Sequence, residues 1–187
     1  WFSDRTECYL AAGRPAVVQG TGWSGHLPAG TGLLGSSTPD EAIEALARGH
    51  EAELERLRAL LAVNRLLTVT GVGGCGKTRL ALALASQEIE RFPDGAFFVD
   101  LASVGDADLV WGAVAGSLGV VDSGGGVSPR DVVLGRLADT RSVVILDNCE
   151  HVLDACADVA SALLAHPGAV AIVATSREPL GVEGEQV

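Results

Sequence analysis

After residue 64 the chain alternates between two hydrophobic rhythms. Residues 66–70, 96–101, 142–147 and 170–175 are short, nearly continuous apolar runs, of the kind that a parallel sheet buries on both faces. Between them, residues 77–91, about 106–118, about 129–138 and 151–165 read as helices. Strands alternating with helices imply right-handed crossovers and predict an open parallel sheet covered by helices on both faces, a three-layer α/β/α sandwich. Upstream, Ile43, Leu46, Leu54, Leu57, Leu60 and Leu61 recur at helical spacing over residues 40–62. Pro39 sits where a first helical turn tolerates it, and Gly49 allows either one kinked helix or two consecutive ones. The first 41 or so residues are rich in Gly, Ser, Thr and Pro, with one strand candidate at 16–19, and are too few to fold alone. A Gly-rich stretch at 122–128 predicts a mobile turn between two helices.

Composition narrows the class. Of 187 residues, 48% are hydrophobic, enough for a real core. Acidic residues outnumber basic ones by 24 to 13, for a net charge of -11, and no Lys/Arg cluster interrupts that balance. Most of such a surface repels a nucleic-acid backbone or an anionic membrane, so neither is expected as a direct partner of this segment. No apolar stretch approaches the roughly 20 residues that span a bilayer, and the amino terminus has no signal-peptide pattern. Cys8, Cys75, Cys149 and Cys156 show neither CxxC nor metal-site spacing and read as reduced thiols of a cytoplasmic protein. Cys149 and His151 read as a loop thiol and a helix-start imidazole rather than metal ligands. The chain has no Met, position 1 included, which suggests a piece of a longer protein.

The lone cation that stands out is Lys77, inside Gly71-Val72-Gly73-Gly74-Cys75-Gly76-Lys77-Thr78. This segment fits GxxxxGK[ST], with a predicted strand before it and a predicted helix after it, the setting in which the pattern acquires a mechanism. Glycines let the backbone wrap an anion with its N-H groups inward, and side chains at Gly71, Gly74 or Gly76 would clash or forbid the dihedrals. A polyphosphate then rests on a helix amino terminus, where unpaired N-H groups and the helix dipole favour negative charge. Lys77 adds charge for the β- and γ-phosphates, and the Thr78 hydroxyl is placed to ligate Mg2+. The bland alternative is a turn that merely closes a βα unit.

Further candidates lie at two strand ends. Asp147 closes the run Val143-Val144-Ile145-Leu146, at the carboxyl edge where open parallel sheets form their ligand crevice, and is expected to hold Mg2+ directly or through water, or else to cap a helix. Glu150 either orients the attacking water or complements the dipole of the following helix. Asn148 could position water but not act as a base. Thr175-Ser176-Arg177 follows the last strand; Arg177 either senses a γ-phosphate or pairs with surface carboxylates.

The segments Leu67 to Ala81, Phe92-Pro93-Asp94-Gly95, Phe98 to Ala102, Asp147-Asn148-Cys149-Glu150-His151 and Thr175 to Gly181 together resemble the STAND class of P-loop ATPases. These are relatives of the NB-ARC and AP-ATPase domains found in bacterial regulators of the LuxR and SARP types. The resemblance covers about residue 47 or 51 to the end. It implies an ATP/ADP switch with slow hydrolysis rather than a fast enzyme, with nucleotide contacts from Gly71 through Arg79, a Walker B strand ending at Asp147 and a sensor at Arg177. It also implies that other domains of a larger regulator, or further copies, act as partners. Where family members carry Phe-Val-Gly-Arg-Glu, this chain reads Ala47-Arg48-Gly49-His50-Glu51, and the family's helical lid and winged-helix modules would follow the residues present here.

Residues 1–46 are similar instead to the carboxyl end of the nucleotide-sugar half of GT-B glycosyltransferases, through Trp1 to Arg5, Cys8 to Gln19 and Leu27 to Leu34 with Asp40-Glu41-Ala42. Many such enzymes carry a donor-binding Glu where this chain has Cys8. A nucleotide-sugar-binding fragment and a P-loop small-molecule kinase therefore stand as alternatives to the switch.

Overall fold

The structure, a computed structural model, describes residues 16–19, 33–36, 39–120 and 126–187, with side chains from residue 51 onward. Most of the glycosyltransferase-like segment, and most of the Gly-rich stretch expected at 122–128, lie outside the described residues. Two compact units emerge: Trp1–Arg56 with Gly71–Cys75, and Leu57–Thr70 with Gly76–Val187.

In the first unit β1 (Ala16–Gln19) and β2 (Leu33–Ser36) pair in parallel, Ala16 against Leu33 and Gln19 against Ser36. β1 falls where its apolar run predicts it. β2 was not anticipated, because Gly35 and Ser36 are turn residues that disguise a short strand. Residues Pro39–Val63 form one continuous helix, α1, so Gly49 neither splits nor ends it. A single glycine costs about 1 kcal/mol relative to alanine, too little to break a helix of 25 residues.

The second unit is built on a parallel sheet of order β4-β5-β6-β3-β7 among the described residues, with β3 (Leu66–Thr70), β4 (Ala96–Asp100), β5 (Val143–Asp147), β6 (Ala171–Ser176) and the two-residue β7 (Glu185–Gln186). The four expected strands are all present with ends shifted by at most one residue; β7 is too short to leave a periodic signal. Leu66, Val144, Leu146, Ile172 and Ala174 project from one face into a core completed by α3 (Val110–Ser117), α4 (Pro129–Leu137) and α5 (Leu153–Ala165). Helix α2 (Lys77–Gln87) covers β3, β5 and β6 and buries Leu80, Ala81, Leu84 and Ala85. Period-2 alternation places Leu67, Val69, Val173 and Ile145 opposite the first set. Each fully buried Leu, Ile or Val contributes about 1.5–3 kcal/mol, which is why both faces of these strands read as apolar.

Several helix ends differ from the sequence reading, each for a local reason. The helix expected over 77–91 stops at Gln87 and tightens into a single turn, Ile89–Arg91. There Glu88 is buried and accepts from Arg58 Nε at 2.6 Å and from Arg91 at 2.5 Å. Helix α3 is preceded by a turn at Ala107–Leu109, started by the Asp106 carboxylate on Asp108 N at 3.0 Å. Ser128 caps α4 by accepting from Asp131 N at 3.1 Å. His151 does not begin a helix: Cys149–His151 is a separate tight turn and α5 starts at Leu153. Just ahead of β3, Arg65 donates to Val170 O, Leu164 O and Leu163 O at 3.0, 3.0 and 3.1 Å, tying the start of β3 to the end of α5 and the approach to β6. Among the described residues no helix is long and apolar enough to cross a membrane.

Candidate functional site

The chain leaves β3 through Gly71–Cys75 and enters α2 at Lys77. Gly71, Gly74 and Gly76 all take positive φ, at 149°, 75° and 88°, whereas Gly73 does not. Cys75 N donates to Val72 O at 3.4 Å and closes the turn. A Cβ built on Gly74 or Gly76 meets nothing within 4 Å. Glycine is therefore required there by backbone conformation alone, and the steric clash expected from the sequence is not what enforces it. Val72, Gly73 and Gly74 are exposed, Gly71, Cys75 and Gly76 half-buried, and Arg79 points to solvent on the first turn of α2. Lys77 is 8% exposed, an unusual burial for a lysine.

Thr78, Asp147 and Thr175 come from three different elements, the first turn of α2 and the carboxyl ends of β5 and β6, and meet on one oxygen. Asp147 Oδ1 accepts from Thr78 Oγ1 at 2.7 Å and from Thr175 Oγ1 at 2.7 Å. Thr175 Oγ1 in turn accepts from Asn148 N at 2.9 Å. Asp147 is 8% exposed, so this carboxylate is fixed rather than solvated. Asn148 leaves the strand in the left-handed region, φ 67° and ψ 50°, which asparagine tolerates better than most residues. Thr175 was singled out in the sequence only as part of the Thr175-Ser176-Arg177 segment, and the structure spends its hydroxyl on Asp147. Ser176, its neighbour, accepts from Glu178 N at 3.3 Å.

Glu150 and Arg177, predicted as separate participants, hold each other: Arg177 Nε donates to Glu150 Oε1 at 3.0 Å. Glu150 sits in the tight turn after Asn148, and its Oε2 is buried without a hydrogen-bond partner in the protein. His151 turns away to Val104 O at 2.9 Å through Nε2. Because a carbonyl can only accept, Nε2 carries the proton, and Nδ1 is left to accept from Asn148 Nδ2 at 3.5 Å. Cys149 is buried and donates from Sγ to Leu146 O at 3.4 Å. Its hydrogen bond with Cys156 raises the thiol pKa far above the ordinary range, and burial and the Cys156 and Asp147 charges push it further. It is an inert structural thiol. Among the described residues no group of three or more His, Cys, Asp or Glu gathers as a metal set.

A glycine loop between a buried strand and a helix, with a strand-end aspartate meeting the helix's first hydroxyl on a parallel sheet, defines the P-loop NTPase fold. Within it, residues 61–173 match the AAA domain family AAA_22, and the chain belongs to that family. It is 46% identical over 129 residues to a protein of Mycobacterium tuberculosis (strain H37Rv) named as an HTH-type transcriptional regulator, covering 69% of this chain and 14% of that protein. It is 36% identical over 115 residues to the regulatory protein AfsR of Streptomyces griseus, covering 58% of this chain and 11% of AfsR. The chain thus spans about one-seventh of the length of the first of these relatives and less of the second. Among solved structures, Cdc6p from Pyrobaculum aerophilum superposes with a TM-score of 0.51 at 17% identity, over 69% of this chain and 39% of Cdc6p. The Aeropyrum pernix Orc1 protein in complex with DNA does so with a TM-score of 0.51 at 21% identity, over 72% and 40%. At these identities the likeness concerns the fold alone.

Proposed function

We propose that this domain binds ATP and ADP with Mg2+ and works as a nucleotide switch of the STAND type, hydrolysing ATP slowly, within a larger transcriptional regulator. The observation that carries the reading is the 2.7 Å contact between Thr78 Oγ1 and Asp147 Oδ1, made at the start of α2 where the glycine loop ends. Two hard oxygen donors of this kind suit Mg2+, which keeps most of its waters and takes few protein ligands. Thr78 and Asp147 would hold the ion, which would supply charge neutralisation for the polyphosphate. Backbone amides from Gly71 to Arg79 and the Lys77 ammonium would gather the phosphates, and Glu150 and Arg177 would act on the terminal one as water-orienting group and sensor. The open space around Gly74 and Gly76 fits an anion approaching the backbone closely.

The switch reading draws its subclass from the motif order, and its setting from relatives that are far longer than this chain. Partner domains or further copies would complete it. We read residues 1–46 as a glycosyltransferase-like piece and residues 47–187 as the nucleotide domain, with the helix Pro39–Val63 running across that boundary. The DNA in the Orc1 complex belongs to that protein, and the net charge of -11 argues against a nucleic-acid partner for this segment. The test is thermal stabilisation by Mg·ATP. Saturation at about 100 times Kd adds about 2.7 kcal/mol to the wild type. Lys77→Ala is expected to abolish the gain, and a Lys77→Ala protein stabilised as fully as wild type would remove the phosphate assignment.

A further inference from the structure

The last residues of β4 and β5 are register partners: Asp100 stands beside Asp147, and Leu101 N extends the pairing by donating to Asp147 O at 3.1 Å. Partners in a parallel ladder project from the same face of the sheet. The Asp147 side chain is directed at the first turn of α2, where Thr78 Oγ1 donates to its Oδ1 at 2.7 Å, so Asp100 projects on the α2 side as well. Helix α2 packs on β3, β5 and β6, and this side of β4 stays open: Ala96, Phe98 and Asp100 are all exposed, whereas Val99 is buried on the opposite face. Asp100 Oδ1 accepts from Ala102 N at 2.9 Å, a turn that engages one oxygen of an otherwise exposed carboxylate. Asp147 is thus flanked by the Thr175 hydroxyl from β6 and by a second carboxylate from β4. Like charges at matched positions of neighbouring strands repel, and a cation between them reverses the sign of that interaction.

We infer that Asp100 is a further carboxylate of the Mg2+ site, accepting a hydrogen bond from a water on the ion that Thr78 and Asp147 would hold, and thereby strengthening the metal dependence of nucleotide binding. The inference rests on the nucleotide reading above and adds to it a residue from a strand with no part in the glycine loop. Protein sites for Mg2+ leave several of the ion's waters in place and use few direct ligands. A carboxylate one strand spacing away, about 4.8 Å, is matched to such a water rather than to the ion itself. Two independent features single out this pair among the chain's 24 acidic residues. The Thr78 hydroxyl converges on Asp147 from another element, and the bond from Leu101 N keeps the two strand tips from splaying apart.

The experiment is calorimetric titration of the full chain with ADP, in EDTA and at rising free Mg2+, for wild type, Asp100→Asn and Asp106→Asn. Asparagine at 100 keeps the acceptor for Ala102 N and removes the charge; Asp100→Ser, whose hydroxyl can keep the same turn, serves if the asparagine variant does not fold. Loss of a group that holds a metal-bound ligand costs roughly ten- to a hundredfold in metal affinity, and exposure lowers that figure. Asp100→Asn should therefore raise the Mg2+ concentration at which ADP affinity is half-enhanced about three- to tenfold, with no loss of affinity in EDTA. Asp106 is an exposed carboxylate of the following loop that accepts from Asp108 N, a bond its asparagine variant also keeps, and that variant should leave the midpoint within about twofold of wild type. A midpoint unmoved by Asp100→Asn overturns the inference, as does an equal shift in Asp106→Asn, which would expose a diffuse field effect. An ADP affinity altered by the same factor with and without Mg2+ also overturns it, because the carboxylate would then act on the nucleotide and not through the ion. Failure of the underlying nucleotide reading looks different, since the wild type would then bind no ADP under either condition.

Discussion

Replacing Arg65 by alanine should cost this domain a large share of its stability. The guanidinium donates to Leu163 O, Leu164 O and Val170 O, and the first two belong to the last turn of α5. The last four carbonyls of a helix have no intrahelical donor, and four residues beyond Leu163 stands Pro167, which has no N-H to offer. Hydrogen bonds from a charged donor net about 1.5–3 kcal/mol, but the three here share one half-buried guanidinium that water can partly replace, so the total loss should be about 2–4 kcal/mol. In a protein of this size each kcal/mol moves Tm by about 2–4 °C, giving a drop of about 5–15 °C. Arg65→Lys keeps the favourable charge at the helix end yet offers one ammonium to three separated carbonyls, so it should still lose about 1–2 kcal/mol. Urea unfolding at constant m-value measures both. An alanine variant within about 0.5 kcal/mol of wild type would refute the clamp, and a lysine variant equal to wild type would show that charge rather than fork geometry matters.

Glu88 provides a pH test. Burial alone raises its pKa, but the hydrogen bonds and charges of Arg91 and Arg58 more than offset that and hold it below its ordinary 4.5. A depressed folded pKa means stability that is complete above about pH 4.5 and lost as pH falls through the folded value. Glu88→Gln should thus be about 1–3 kcal/mol less stable than wild type near neutrality, with the gap closing in more acidic solution, and a gap that stays constant down to about pH 3 on denaturant titration would contradict the assignment. Thr175→Val removes the hydroxyl between Asp147 and Asn148 N at nearly constant volume; it should cost about 1–3 kcal/mol and weaken Mg2+-dependent nucleotide stabilisation, and a variant unaffected in both would show the bridge to be idle.

The sheet and the loop were legible because their signals are local. Residues 66–70 and 143–147 are apolar at most of the positions that the sheet buries, Thr68 and Asp147 excepted, and within the loop the glycines at 71, 74 and 76 take positive φ. What stayed hidden depends on distant partners. Arg65 looks like an ordinary pre-strand cation until Leu163, Leu164 and Val170 are brought to it across about a hundred residues. The tight turn at Cys149–His151 replaces the expected helix start because Asn148 leaves β5 in the left-handed region, a choice that no periodicity encodes. Glu150 and Arg177 were each visible as strand-end chemistry, but their pairing is a consequence of β5 and β6 lying side by side, Leu146 opposite Ala174.

That adjacency also explains why the two hydroxyls on Asp147 cannot be equivalent. Thr175 Oγ1 gives its hydrogen to Asp147 Oδ1 and uses a lone pair for Asn148 N, so both of its directions are committed within neighbouring strand ends. Thr78 Oγ1 makes the same 2.7 Å bond to the same oxygen from the first turn of a different element, α2. A hydroxyl that is to ligate a cation must aim a lone pair at it and turn its hydrogen elsewhere, and only Thr78 can do this without breaking the link between β5 and β6. Under the proposed function, then, Thr175 keeps Asp147 aimed while Thr78 exchanges its partner. The two threonines should accordingly separate in experiment: loss of the Thr78 hydroxyl reduces Mg2+ dependence with little effect on the unliganded fold, and loss of the Thr175 hydroxyl disturbs the fold as well.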